Sequence, residues 1–222
     1  MGSDNGTKVT DSGLPTLTDA EKTKNNSLPI LLLCWPLPLA IGTAIASVVY
    51  MLGETATVEK RMQPFVENDL HWAALALVVL GNTITFVNGY PLMYKNQVMR
   101  RNLNNLRSNP SIYKAIGKYA IDNAIVLNDE GAIGAYNRAN RSLHHMIENN
   151  GMLVAGLALA SQVFAVPVFV TVCVFGVGRI LHQVGYTSGY GGHSLGYILS
   201  MAAVATIQGF LFLIGLKGLN VL

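Results

Sequence analysis

Residues 151 to 178 run for 28 positions without one charged side chain, and no other feature restricts the fold of this chain so much. A hydrocarbon core about 30 Å thick is crossed by about 20 apolar residues in a helix, at about 1.5 Å each. A run of this length, with Pro167 inside it and the small, polar pair Ser161-Gln162 just before the proline, reads as two antiparallel spans joined by a tight turn. The two helices are placed at about Tyr136 to Ala160 and Ala165 to Tyr186.

Three further apolar segments have the right length, namely Leu28 to Gly53, Leu70 to about Tyr94, and Ser194 to Leu216. Pro36 and Pro38 kink the first of these or mark where its helix begins. Trp72, Tyr90 and Tyr94 stand near the ends of the second, where interfacial anchors sit. The chain is 51% hydrophobic and 12% charged, against roughly 25% charged in ordinary soluble domains. An integral membrane protein of five helices follows, with residues 1–27 as a disordered polar tail.

A net charge of +3 without a basic run between aromatics argues against a nucleic-acid partner. Cys34 and Cys173 lie within apolar runs, so neither a disulfide framework nor a cysteine metal site is expected. Eight Lys or Arg residues fall between Lys95 and Arg141, but only Lys60 and Arg61 between Glu54 and Asp69. The positive-inside rule therefore puts the 95–135 loop, the amino tail and the 187–193 turn in the cytosol.

Of 27 formally charged residues, only Glu148 and Arg179 lie well inside the predicted spans. An unpaired Arg at a span centre costs on the order of 3 kcal/mol on insertion scales, so the two are expected to face each other or to share a polar ligand. Around them run three polar stripes. Arg138, Arg141, His145 and Glu148 share one helix face at steps of three, four and three, with His144 at its edge. Arg179, His182 and Tyr186 form a second stripe, and His193, Ser194 and Tyr197 open the last helix. All three lie at the cytosolic ends of their spans, which suits an anionic, hydrogen-bonding ligand with an apolar co-substrate entering from the bilayer. The alternative is a set of interfacial side chains that satisfy helix ends. His144, His145, His182 and Glu148 are metal-ligand types, but His-x-x-Glu is not the Glu-x-x-His spacing of bundle carboxylate sites, and no metal is expected. The glycines between Gly185 and Gly196 read as a turn with close helix contacts.

These residues carry a resemblance. Arg138-Ala-x-Arg141, followed by Glu148-Asn149 at the head of a span, is similar to the second-helix signature of the membrane-associated proteins in eicosanoid and glutathione metabolism (MAPEG). Gly178-Arg-Ile-Leu-His-Gln-Val-Gly-Tyr186 resembles the third-helix signature of microsomal glutathione transferases and microsomal prostaglandin E synthase. His193-Ser-Leu-Gly-Tyr197 resembles the opening of the synthase's fourth helix, and Gln97-Val-Met-Arg-Arg101 the basic end of the family's first. The likeness covers about Leu70 to Leu216.

It implies an all-α integral membrane protein, a four-helix transmembrane bundle over 70–218 with one extra N-terminal apolar helix at 28–53. It further implies a homotrimer that binds glutathione as co-substrate between subunits near the cytosolic face. The implied activity is a glutathione-dependent transferase or peroxidase acting on lipophilic electrophiles, in the endoplasmic reticulum or another organelle membrane. By position, Arg141, His145, Glu148, Arg179, His182 and Arg101 would bind glutathione, while His193, Ser194, Tyr197 and Tyr186 would orient or stabilise its thiolate. The chain departs from the family at His145, where the family has asparagine, and at His144 and His193, where the synthase has arginines. These departures, and the extra helix, support the other reading: a non-catalytic membrane scaffold or lipid-binding subunit that keeps the bundle.

Overall fold

The computed structural model describes residues 28–99, 109–116 and 124–222. The polar tail and Arg101 lie outside the described residues. The first apolar segment is broken at Trp35-Pro36 into α1 (Leu28–Cys34) and α2 (Leu37–Leu52). After them come α3 (Thr55–Glu67), α4 (Leu70–Met99), the antiparallel strands β1 (Tyr113–Ile116) and β2 (Ala124–Leu127), α5 (Gly131–Ser188) and α6 (Ser194–Gly218). Two segments read as loops in the sequence therefore carry structure. The 54–69 connection is mostly helix, and the 95–135 connection contains a small hairpin pairing Tyr113 with Leu127 and Ile116 with Ala124.

The 58 residues of α5 contain one residue with non-helical backbone, Phe164 (φ −122°, ψ 50°), three positions before Pro167. Proline has no N–H to give to the preceding turn, so the break falls where the ladder is already weakened. Contacts across the break show that it reverses the chain. Arg138 Nε donates to the Thr187 carbonyl (3.1 Å), and Gln183 Nε2 donates to the Ala139 carbonyl (3.1 Å). Early residues of α5 thus meet late ones in descending order, as an antiparallel hairpin requires. The hairpin reading of the uncharged run holds, with arms 131–163 and 165–188.

α4 and α6 complete the bundle. Trp72 packs on Phe169 (ring centroids 5.1 Å), and a Cβ at Gly176 would lie 2.8 Å from Thr83 Oγ1, so α4 runs alongside the second arm in the same direction. α6 returns against it, with Phe164 stacked on Phe210 at one end and Gly178 beside Ser200 nearer the other. The four helices alternate in direction around a core that includes Leu80, Val87, Leu153, Leu157, Val172, Phe175 and Ile207. Lipid offers apolar side chains an environment as apolar as the core, so tight approach matters more here than hydrophobicity. A Cβ on Gly178 would be 2.8 Å from Ser200 N and 3.0 Å from the Gly196 carbonyl, and only glycine permits that backbone contact.

α1 leans on this bundle and α2 does not. Trp35 packs on Phe86 (4.9 Å) and its Nε1–H donates to the Asn82 carbonyl (2.7 Å). α2 and α3 contain no buried residue. The helices Leu31–Leu52, Leu70–Lys95, Gly131–Ser188 and Ser194–Gly218 are each long and apolar enough to cross a membrane, and the hairpin in the third supplies two crossings. The chain is a multi-pass, helical integral membrane protein. Both cysteines carry free thiols.

Candidate functional site

At the end of the bundle expected to face the cytosol, the two arms of α5 and the start of α6 enclose a polar cluster. Arg179 is its centre, a guanidinium only 1% exposed. Its Nη2 donates to the Ser142 carbonyl (2.6 Å) and its Nη1 to His145 Nδ1 (3.0 Å), while Nε has no partner. Arginine has no lone pair to offer, so the ring nitrogen facing it must be the acceptor. His145 is therefore held uncharged, with its proton on Nε2. Ser142 reaches the other way, its Oγ 2.8 Å from His182 Nδ1.

The aromatic rings form a continuous stack around these groups. His145 lies on His182 (5.6 Å, 23°), and His182 lies on Tyr186 (5.5 Å, 17°). Tyr197 closes on His145 (5.8 Å), and His193 meets both Tyr186 (5.2 Å) and His182 (5.8 Å) edge-on. Tyr190 continues the row onto Tyr186, with the Arg138 guanidinium 5.6 Å over its ring. The approach of α6 depends on Gly196, where a Cβ would strike the backbone of His182 and the Gly178 carbonyl. Gly185 and Gly192 make a similar contact, as the sequence reading of this glycine-rich turn expected.

Six of the sequence-selected residues, His145, Arg179, His182, Tyr186, His193 and Tyr197, thus share one cluster, with Ser194 exposed at the first turn of α6. Two others stand apart. Glu148 does not meet Arg179, as its place in the spans suggested, but pairs with Arg141 at 3.0 Å, and each side chain is 55% exposed. The reason is helical: a step of seven returns to within about 20° of the same azimuth. Arg141 and Glu148 therefore stand together on the outer edge of their stripe, while Arg138, Ser142 and His145 form the inner edge against the second arm. Among the described residues, Arg179 has no carboxylate partner. His144 is exposed and outside the ring stack.

Two residues of the site were missed in the sequence. Ser142 joins Arg179 to His182, and its signal was its place between Arg138 and His145 on the inner edge. Gln183 is fully buried, with its Oε1 unpartnered, and lies four residues after Arg179.

The bundle and its polar cluster define a class first, a multi-pass membrane protein with a buried cation beside an aromatic wall. Residues 112–213, which include this whole cluster, match the model of the MAPEG family. The family resemblance seen in the motifs of α5 and α6 holds over that stretch. No curated protein and no solved structure matches the chain.

Proposed function

We propose that this protein is a glutathione-dependent transferase or peroxidase acting on lipophilic electrophiles within the bilayer. The observation that carries the reading is Arg179, a nearly inaccessible guanidinium with no carboxylate among the described residues and an unpartnered Nε. A buried, unpaired charge costs several kcal/mol, and an anionic ligand removes that cost. Glutathione supplies two carboxylates, an ammonium and a thiol. The match of residues 112–213, which contain this cluster, to the MAPEG family supports glutathione over other anions.

Arg179 and Arg141 bind the carboxylates, and Glu148 the ammonium, with the Nε2–H of His145 and the His182 ring as further polar contacts and Arg101 as an additional cation. Tyr186, Tyr197, Ser194 and His193 donate hydrogen bonds to the sulfur. Donors aimed at an anion lower the thiol's pKa and so raise the thiolate population at neutral pH. In conjugation the thiol proton leaves to solvent, the sulfur bonds to the electrophilic carbon, and the leaving group departs with its electron pair. In the peroxidase reaction the thiolate takes one peroxide oxygen to give a sulfenate and an alcohol, and a second glutathione thiol, with a proton from solvent, converts the sulfenate to the disulfide and water. The exposed Arg141–Glu148 edge supports a ligand shared between subunits of a homotrimer, and an organelle membrane such as the endoplasmic reticulum is the setting the family suggests.

Conjugation of glutathione to a generic aromatic halide by the purified protein tests the proposal, with loss of turnover expected in Arg179→Ala. A specific observation favours the second reading, a scaffold or lipid-binding subunit: α2 and α3 present unburied faces that a partner could cover. Glutathione binding without turnover, together with copurification in a larger membrane complex, would favour it.

A further inference from the structure

The helix α3 belongs to neither the bundle nor the site. Its sequence, Thr-Ala-Thr-Val-Glu-Lys-Arg-Met-Gln-Pro-Phe-Val-Glu, sorts cleanly on a wheel of 100° per residue. Val58, Met62, Phe65 and Val66 fall within one narrow arc. Lys60, Gln63 and Glu67 fall away from that arc, Glu59 and Arg61 flank it on either side, and Gln63 Nε2 donates to Glu67 Oε1 (2.7 Å) along the polar edge. Met62, Phe65 and Val66 are 45%, 53% and 58% exposed. The protein itself therefore leaves most of the apolar arc uncovered, with Val58 half-buried.

Its connections say what covers it. Only Gly53 and Glu54 separate α3 from the end of α2, and only Asn68 and Asp69 separate it from the start of α4. Both neighbours belong to stretches, Leu31–Leu52 and Leu70–Lys95, that are membrane-spanning by length and composition. Leu31 touches Gly89 while Trp35 meets Asn82, so α1 and α4 run in opposite directions, and α2 carries the span on from α1 beyond the Trp35-Pro36 break. Two local devices set the bends. Tyr50 Oη donates to Glu59 (2.7 Å), folding α3 against the end of α2, and Asp69 adopts a left-handed backbone (φ 58°) that turns the chain into α4. Trp72, an interfacial residue type, follows within one turn. Thirteen helical residues reach about 20 Å. Tethered by two residues at each end, this helix cannot leave the surface that α2 and α4 reach.

We infer that α3 lies flat in the non-cytosolic membrane interface, with Val58, Met62, Phe65 and Val66 inserted among the lipids, and acts as a lipid-seated brace that holds the end of α2 away from the bundle. Its two acidic and two basic residues cancel, so its seat is apolar burial rather than attraction to anionic lipid. This explains how α2 keeps its place with no buried residue. The inference is independent of the glutathione site.

The test uses the full-length protein in vesicles of neutral phosphatidylcholine, with Cys34 and Cys173 replaced by alanine and single spin labels introduced at residues 60, 62, 63, 65 and 66. Labels at 62, 65 and 66 are expected to be relaxed by dissolved oxygen and shielded from a water-soluble nickel chelate. Labels at 60 and 63 should show the opposite, and adding anionic lipid should change neither. Equal exposure of all five to the nickel chelate would place α3 in water and overturn the inference. Protection of 62, 65 and 66 from both relaxants would show a protein partner or a second copy on that face, which overturns it equally. Unlabelled protein with Phe65→Ser should still give a folded bundle, but its α2–α3 amides should exchange several-fold faster in the same vesicles.

Discussion

Replacing Arg179 by methionine separates the two costs that meet at the centre of the site. The change removes two charge-assisted hydrogen bonds, to the Ser142 carbonyl (2.6 Å) and to His145 Nδ1 (3.0 Å). Such bonds contribute about 1.5–3 kcal/mol each, so the loss is about 3–6 kcal/mol. It also removes a 1% exposed cation that has no carboxylate among the described residues. Keeping a charge of this kind in a span costs on the order of 3 kcal/mol, and methionine fills most of the vacated volume with an adaptable chain. The first exceeds the second by about 0–3 kcal/mol, and the empty variant should be less stable than the unaltered protein by that amount. Ligand then distinguishes them. Glutathione at 100 times its dissociation constant stabilises a binding protein by about 2.7 kcal/mol. Thermal unfolding in detergent, with and without glutathione, should show that gain in the unaltered protein and none in Arg179→Met. A variant that still gains the full stabilisation would refute the role given to Arg179. One that unfolds by more than about 5 kcal/mol without ligand would show that the arginine is structural.

Other positions give independent checks. Gly196→Ala should destabilise the bundle by about 1–3 kcal/mol, because the added Cβ meets backbone that cannot yield. Gly209→Ala, with nothing within 4 Å of its Cβ, should be neutral or stabilising by up to about 1 kcal/mol, and thermal melts compare the pair directly. Asn137→Ala removes bonds to Ile112 N (2.9 Å), to the Ile112 carbonyl (2.7 Å) and to the Asn128 carbonyl (2.7 Å). It should cost about 2–3 kcal/mol and speed amide exchange in β1 and β2 while the helices stay protected. Lys114 is held above its ordinary pKa by its hydrogen bond to Glu130, with Asp129 adding charge. A raised lysine contributes fully below its unfolded value and loses that contribution as pH rises through the folded one. An NMR titration of its side chain should therefore show the midpoint move down toward the ordinary value in Glu130→Gln, with Asp129 keeping part of the rise.

The membrane architecture was legible because it rests on length and charge. The uncharged run at 151–178 reads as a hairpin because Pro167 and Ser161-Gln162 interrupt it, and Pro167 lies within three residues of the reversal at Phe164. The site was legible in part, since helical spacing groups Arg179, His182 and Tyr186 whatever packs on them. What spacing could not settle was which edge of a wide stripe faces inward. Arg138, Arg141, His145 and Glu148 looked like one face, yet Arg141 and Glu148 turned out and Ser142 turned in. Choosing between those edges depends on the rotation of one arm against the other, set by close contacts such as Gly178 on Ser200 that no periodicity reveals. α3 was missed for a different reason. Its four charges and Pro64 look like a loop unless the apolar arc is tested as a helix.

The central claim is that this cluster binds glutathione and ionises its thiol. Titrating glutathione into the purified protein in lipid nanodiscs, while following thiolate absorbance in the ultraviolet at neutral pH, tests it most directly. The account predicts a saturable rise that is absent in Arg179→Met and is discharged by adding an electrophile. Absorbance no greater than that of free glutathione, with no saturable binding, would contradict it.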